Sequence, residues 1–135
     1  ALPIWPLQAK AIYLAPPAAK FKEKVRRHGF LVLDALSDLD VGQAIVVDGG
    51  RILAIEGVEG TDRMLARIAG LPGRKGPSGV LVKGPKRGQD LRVDMPTVGP
   101  QTIAGLSEAH IAMLVVAAGQ TVLLERDEMA RRADG

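Results

Sequence analysis

Residues of one character recur at three- and four-residue steps from Phe21 through Val25, His28, Val32 and Ala35 to Leu39. That stripe predicts one amphipathic helix over residues 20–39. Gly29 falls inside it and costs about 1 kcal/mol against alanine, yet the stripe continues across it. His28 lies on the stripe and reads as a packed histidine. Gln43 to Val47 and Arg51 to Glu56 read as strands around Asp48-Gly49-Gly50, a turn able to reach positive φ. Thr61 is placed to cap the next helix, with Asp62 in its first turn and Met64, Leu65 and Ile68 on its buried side. Residues 70–79 form a loop rich in glycine, proline and basic residues. Arg74 and Lys75 within it read as exposed.

Val80-Leu81-Val82 reads as a short buried strand ending in Lys83. A long segment, 84–99, follows. Then come a helix near 100–109 ending at His110, an apolar strand near 111–117, a turn at Gly119-Gln120, and a last strand from Val122 to Leu124. Asp127 is placed to cap a short closing helix, whose Arg126, Arg131 and Arg132 read as solvated charges. Strands interleave with helices, so the expected class is α/β, a single small domain with a mixed sheet containing one hairpin, flanked by helices. Residues 20–135 make that domain. Residues 1–19, with prolines at 3, 6, 16 and 17, read as an extended linker or arm.

Composition narrows the chemistry. Only 3% of the 135 residues are aromatic, so the core is aliphatic and stacking platforms are scarce. There is no cysteine, which excludes disulfides, thiolate nucleophiles and Cys-type zinc sites. A net charge of +3 suits a local anion site as well as it suits nucleic acid. The longest apolar run, Ile111 to Ala118, is far shorter than the roughly 20 residues of a membrane-spanning helix. The opening lacks a charged n-region and does not read as a signal peptide or as the start of a full reading frame. No P-loop or nucleophile-elbow motif is present, and the two histidines have no metal-ligand spacing.

Two segments carry candidate chemistry. Glu56-Gly57-Val58-Glu59-Gly60-Thr61-Asp62 puts carboxylates and glycines between a strand and a helix. Such carboxylates can hold a hard divalent cation, and the helix start beyond can meet a phosphate. An ordinary acidic helix start accounts for the same residues. The second segment, Lys83 to Gly99, carries Lys83, Lys86, Arg87 and Arg92 beside Asp90 and Asp94. If Asp90 to Met95 is extended, Asp90, Arg92 and Asp94 share one face. Positions four apart in a straight strand lie roughly 13 Å from each other, so only one of the two aspartates reaches a given ion unless the chain bends. A solvated, charge-alternating strand face is the competing account. Any metal here would sit among carboxylates, which favours Mg²⁺ or Mn²⁺ over zinc.

Three stretches in register are specific together: Val41–Val47 running into Ala54–Asp62, then Gly79–Lys83, then Gly88-Gln89-Asp90-Leu91-Arg92-Val93-Asp94-Met95-Pro96-Thr97-Val98-Gly99-Pro100. From about residue 24 onward the chain resembles the C-terminal domain of the LpxI family, the UDP-2,3-diacylglucosamine pyrophosphatases of lipid A synthesis. The resemblance implies hydrolysis of UDP-2,3-diacylglucosamine to UMP and 2,3-diacylglucosamine 1-phosphate, with a divalent cation. It also implies an N-terminal domain as partner and a place in the cytoplasm, peripheral at the inner membrane. Fitted to that reaction, Asp90 is the metal ligand or activates the water, with Asp94 beside it. Glu56, Glu59 and Asp62 supply or orient further ligands. Lys83 and Arg92 stabilise phosphate oxygens, and Thr97, the Gly99 backbone, Gln89 and Thr61 face the substrate.

Two other classes compete. A non-catalytic nucleotide- or anion-binding module would use the basic loops without metal, although carboxylates beside them repel phosphate unless a cation intervenes. A nucleic-acid-binding domain has only mild basicity in its favour. No aromatic residue near the basic segment could stack a base, and no nucleic-acid partner is expected.

Overall fold

The computed structural model describes residues 9–13, 21–74, 76–85, 96–117 and 121–134. Its main sheet is set by strands that are apolar on both faces. β2 (Ala44–Asp48), β4 (Val80–Lys83) and β6 (Met113–Ala117) are buried almost throughout. β3 (Arg51–Ile55) and β1 (Ala9–Tyr13) form the edges, in the order β1-β6-β4-β2-β3. β4 and β6 run parallel; the other neighbours are antiparallel. The sheet is therefore mixed, and β2–β3 is the expected hairpin. Its two-residue turn, Gly49-Gly50, has φ of 59° and 80°, the conformation that glycine reaches without strain and that matches strand twist. Within residues 1–19, Ala9–Tyr13 form β1, which pairs with β6 from Ala9↔Ala117 to Tyr13↔Met113.

Side-chain parity divides the core into two layers. Ala44, Val46, Leu81, Leu114 and Val116 face one way and pack with Met64, Leu65 and Ile68 of α2 (Thr61–Ala69) and Ile103 and Leu106 of α3 (Pro100–Glu108). Met129 of α4 (Arg126–Asp134) joins them. Ile45, Val47, Val80, Val82, Met113 and Val115 face the other way, under Phe30 and Leu33 of α1 (Phe21–Leu36). This is the helix–sheet–helix arrangement that strands with two apolar faces require.

Gly29 has a packing reason. A Cβ there would lie 2.4 Å from Cγ2 of Val82, so α1 can approach the sheet closely only with glycine at that position. Sequence boundaries hold to within one or two residues for most elements. The helix expected to 39 ends at Leu36 and tightens into a 3-10 turn over Ser37–Leu39. β6 starts at Met113 rather than at 111. The expected last strand is β7 (Val122–Leu123); it runs parallel to β5 (Thr97–Val98), a strand not visible in the hydrophobic pattern, and the two form a small second sheet. It brings the end of the 84–99 segment beside the approach to α4.

Candidate functional site

Lys83 is the last residue of β4 and shares its face with Leu81, so it projects toward the α2–α3 layer. It is 8% exposed. A buried ammonium must find acceptors, and Lys83 Nζ donates to Thr61 Oγ1 at 2.9 Å and to the Thr97 carbonyl at 2.8 Å. The Thr61 hydroxyl in turn donates to Glu56 Oε1 at 3.1 Å. The second Glu56 oxygen accepts the Gln43 backbone N–H at 3.0 Å. One buried polar chain therefore joins the ends of β2, β3 and β4 to the starts of α2 and β5. Thr61 does not cap α2 as the sequence suggests. Gly60 occupies the N-cap position with φ 86°, and Thr61 is the first helical residue. Its hydroxyl is taken by Lys83 and Glu56 instead.

Beside this chain lies a cleft of about 570 Å³ between the starts of α2, α3 and α4. Its walls include Asp62, Thr97, Gly99, Gln101, Thr102, Leu124, Glu125 and Arg132. α3 opens into it with Gly99 as N-cap and Pro100 in the first turn, while Thr102 Oγ1 accepts the Gly99 N–H at 3.4 Å. Lys83 touches this cleft through the Thr97 carbonyl and is not itself part of its wall.

Of the sequence-based candidates, Lys83, Thr61, Glu56, Thr97, Gly99 and Asp62 come together at this end of the sheet. Glu59 does not join them; its carboxylate forms a two-point ion pair with Arg67 on the outer face of α2. Gln89, Asp90, Arg92 and Asp94 lie outside the described residues. Among the described residues no three His, Cys, Asp or Glu side chains converge as a metal ligand set. Both Glu56 oxygens already accept hydrogen bonds and Glu59 is engaged by Arg67. The described carboxylates thus do not fit a divalent cation by themselves; only Asp62 and Glu125 among them border the cleft, and no third carboxylate or histidine joins them.

Two arginines differ from their sequence reading. Arg74 is not exposed: its side chain is 12% accessible. It donates to the Ala109 and His110 carbonyls, to Asp48 Oδ2 at 3.2 Å and to the Ser78 carbonyl at 3.0 Å. The ends of α3 and of the β2–β3 hairpin bring those acceptors together, which no local pattern reveals. Arg132 is not simply solvated. It lines the cleft, tethered by Glu128 Oε1 at 3.1 Å and the Pro100 carbonyl at 3.3 Å. Hydrogen bonds from Arg131 and then Arg132 hold the Glu128 carboxyl below the usual carboxylate range. The i, i+4 spacing of Glu128 and Arg132 was a readable signal for the tether, but not for the cleft.

These features define an α/β domain whose buried lysine and helix start flank a polar cleft. The chain belongs to the LpxI C-terminal domain family, whose model matches residues 10–135. It is 45% identical over 101 residues to the UDP-2,3-diacylglucosamine pyrophosphatase LpxI of Caulobacter vibrioides, covering 71% of this chain and 36% of that relative. The chain thus spans little more than a third of the curated relative it matches.

Proposed function

We propose that this domain, in the protein that carries it, hydrolyses the pyrophosphate of UDP-2,3-diacylglucosamine to UMP and 2,3-diacylglucosamine 1-phosphate. The observation that carries the reading is the buried Lys83–Thr61–Glu56 chain, built from family-matching segments, standing against a cleft at the start of α3. Hydrolysis adds water across a phosphoanhydride: the hydroxyl goes to one phosphorus, the P–O bond to the bridging oxygen breaks, and the proton ends on a phosphate product. Negative charge must be offset as that bond breaks. Lys83 supplies a fixed positive charge behind the cleft wall. The α3 start adds the positive end of a helix dipole.

Asp90 is proposed to activate the water, with Asp94 beside it, and Arg92 and Gln89 to hold substrate. The described residues flanking their segment, Pro85 and Pro96, follow Lys83 and precede Thr97, which are joined by a hydrogen bond. The proposed dependence on Mg²⁺ or Mn²⁺ rests on Asp90 and Asp94, because the described carboxylates do not supply a ligand set. When bound, such a cation would offset phosphate charge. The proposed setting is the cytoplasmic face of the inner membrane; among the described residues no helix is long and apolar enough to cross a membrane.

The test is UMP release from UDP-2,3-diacylglucosamine by the protein containing this domain, with Lys83→Met and Asp90→Ala variants and with EDTA. Release that falls at least about 100-fold in both folded variants, and with EDTA, upholds the reading. Near-normal release from either variant removes that residue from its role. Phosphate binding without release would favour the anion-binding module.

A further inference from the structure

Arg132 sits two turns into α4, yet its guanidinium reaches back to the cleft at the start of α3. Side chains on a helix lean toward its N-terminus, and α4 begins beside that cleft, next to Glu125 and Leu124. Nε is held by Glu128 and Nη1 by the Pro100 carbonyl. These contacts fix the plane of the guanidinium at the cleft wall, with 46% of the side chain accessible. Glu128 is shared with Arg131, whose Nε and Nη2 bond its other oxygen. One carboxylate thus serves two arginines and holds the Arg132 guanidinium in place at this rim.

We infer that Arg132 is a substrate-binding residue that clamps a phosphate group of the ligand against the start of α3. The inference rests on the proposed phosphate-ester reading of the cleft and adds a residue that the sequence motifs do not contain. A planar, permanently charged fork suits tetrahedral oxyanions, because two parallel N–H groups can meet two oxygens. The start of α3 faces the same space with the positive end of its dipole. Asp62 and Glu125 also border the cleft and repel an anion. A pre-positioned cation on the wall offsets that repulsion, which gives Arg132 a role that a freely solvated arginine would not have.

The test is calorimetric titration of inorganic pyrophosphate into the full-length protein carrying this domain. Wild type is compared with Arg132→Ala, Arg132→Lys and Arg131→Ala, with folding of each variant checked by circular dichroism. The expected result is binding by wild type, affinity lowered about tenfold or more in Arg132→Ala, partial retention in Arg132→Lys, and little change in Arg131→Ala. Equal affinity in wild type and Arg132→Ala, or equal weakening in Arg131→Ala and Arg132→Ala, would overturn the inference. Neither outcome touches the hydrolase reading, which UMP release tests separately. Absence of pyrophosphate binding by wild type would also overturn it.

Discussion

At Thr61 a single hydroxyl stands between a buried ammonium and a buried carboxylate. Both charged groups depend on it, because a buried polar group that loses its partner keeps its full desolvation cost. Replacing Thr61 by Val, which keeps the shape and removes the oxygen, should destabilise the fold by about 1–3 kcal/mol; Thr61→Ser should restore most of it. Urea denaturation of the two variants decides the point, and equal loss in both would show that the methyl matters rather than the hydroxyl. Gly29 gives a second case. Alanine is the better helix former by about 1 kcal/mol, but its Cβ would strike the Val82 side chain. Gly29→Ala should therefore destabilise, by about 1–3 kcal/mol; a stabilised variant would show that α1 can move away from the sheet at little cost.

These residues also mark how far the sequence could be read. Gly29 registers in the sequence only as an irregularity in a helix, because the reason for it lies on a strand 53 positions later. Lys83, Thr61 and Thr97 were legible as candidates from type and position in motifs. Their mutual contact was not, since it depends on how the β4 end meets the α2 start. Arg74 carried no distinguishing local pattern and acquires its role from acceptors on remote elements; for Arg132 the spacing to Glu128 was readable, but the Pro100 carbonyl and the cleft come from a remote element.

At the scale of elements, strands and helices were largely readable because each has a clear period and clear breakers. The last strand, read at Val122 to Leu124, is β7, but β5 and its pairing with β7 were not readable, because a two-residue strand carries no period. α3 is held at both ends. Its start opens into the cleft, and its end is capped by Arg74, which also grips the hairpin through Asp48. A cation against the last carbonyls suits the negative end of the helix dipole. Arg74→Ala should cost about 1–3 kcal/mol. A double-mutant cycle with Asp48→Ala should return a coupling energy of about 0.5–3 kcal/mol; additive effects would mean that the pair is incidental to the clasp.

α4 adds a pH dependence with a definite sign. Arg131 and Arg132 depress the folded-state pKa of Glu128. Its contribution is therefore present above the unfolded carboxylate value and is lost as pH falls through the lower folded value. The tether on Arg132 should be constant around neutrality and weaken only below the ordinary carboxylate range. An NMR titration following Glu128 checks this. A midpoint at or above the ordinary range would contradict it.

On the scale of the whole molecule, the mixed sheet with helices on both faces gathers Gln43, Glu56, Thr61, Lys83 and Thr97 at one end. β2, β3 and β4 all present an end there, and α2, α3 and α4 all begin near the cleft. Ligands commonly bind at such strand ends in α/β sheets. Membership in the LpxI C-terminal domain family gives that convergence a chemical meaning. The chain spans 36% of its Caulobacter relative, so the reaction is proposed for the protein that carries the domain.

The most direct measurement of the central claim is UMP release from UDP-2,3-diacylglucosamine by that protein, wild type against Asp90→Ala, with circular dichroism confirming that both are folded. The hydrolase reading predicts steady release by wild type and at least about 100-fold slower release by the variant. No release by folded wild type, in the presence of Mg²⁺ and detergent-dispersed substrate, would contradict it.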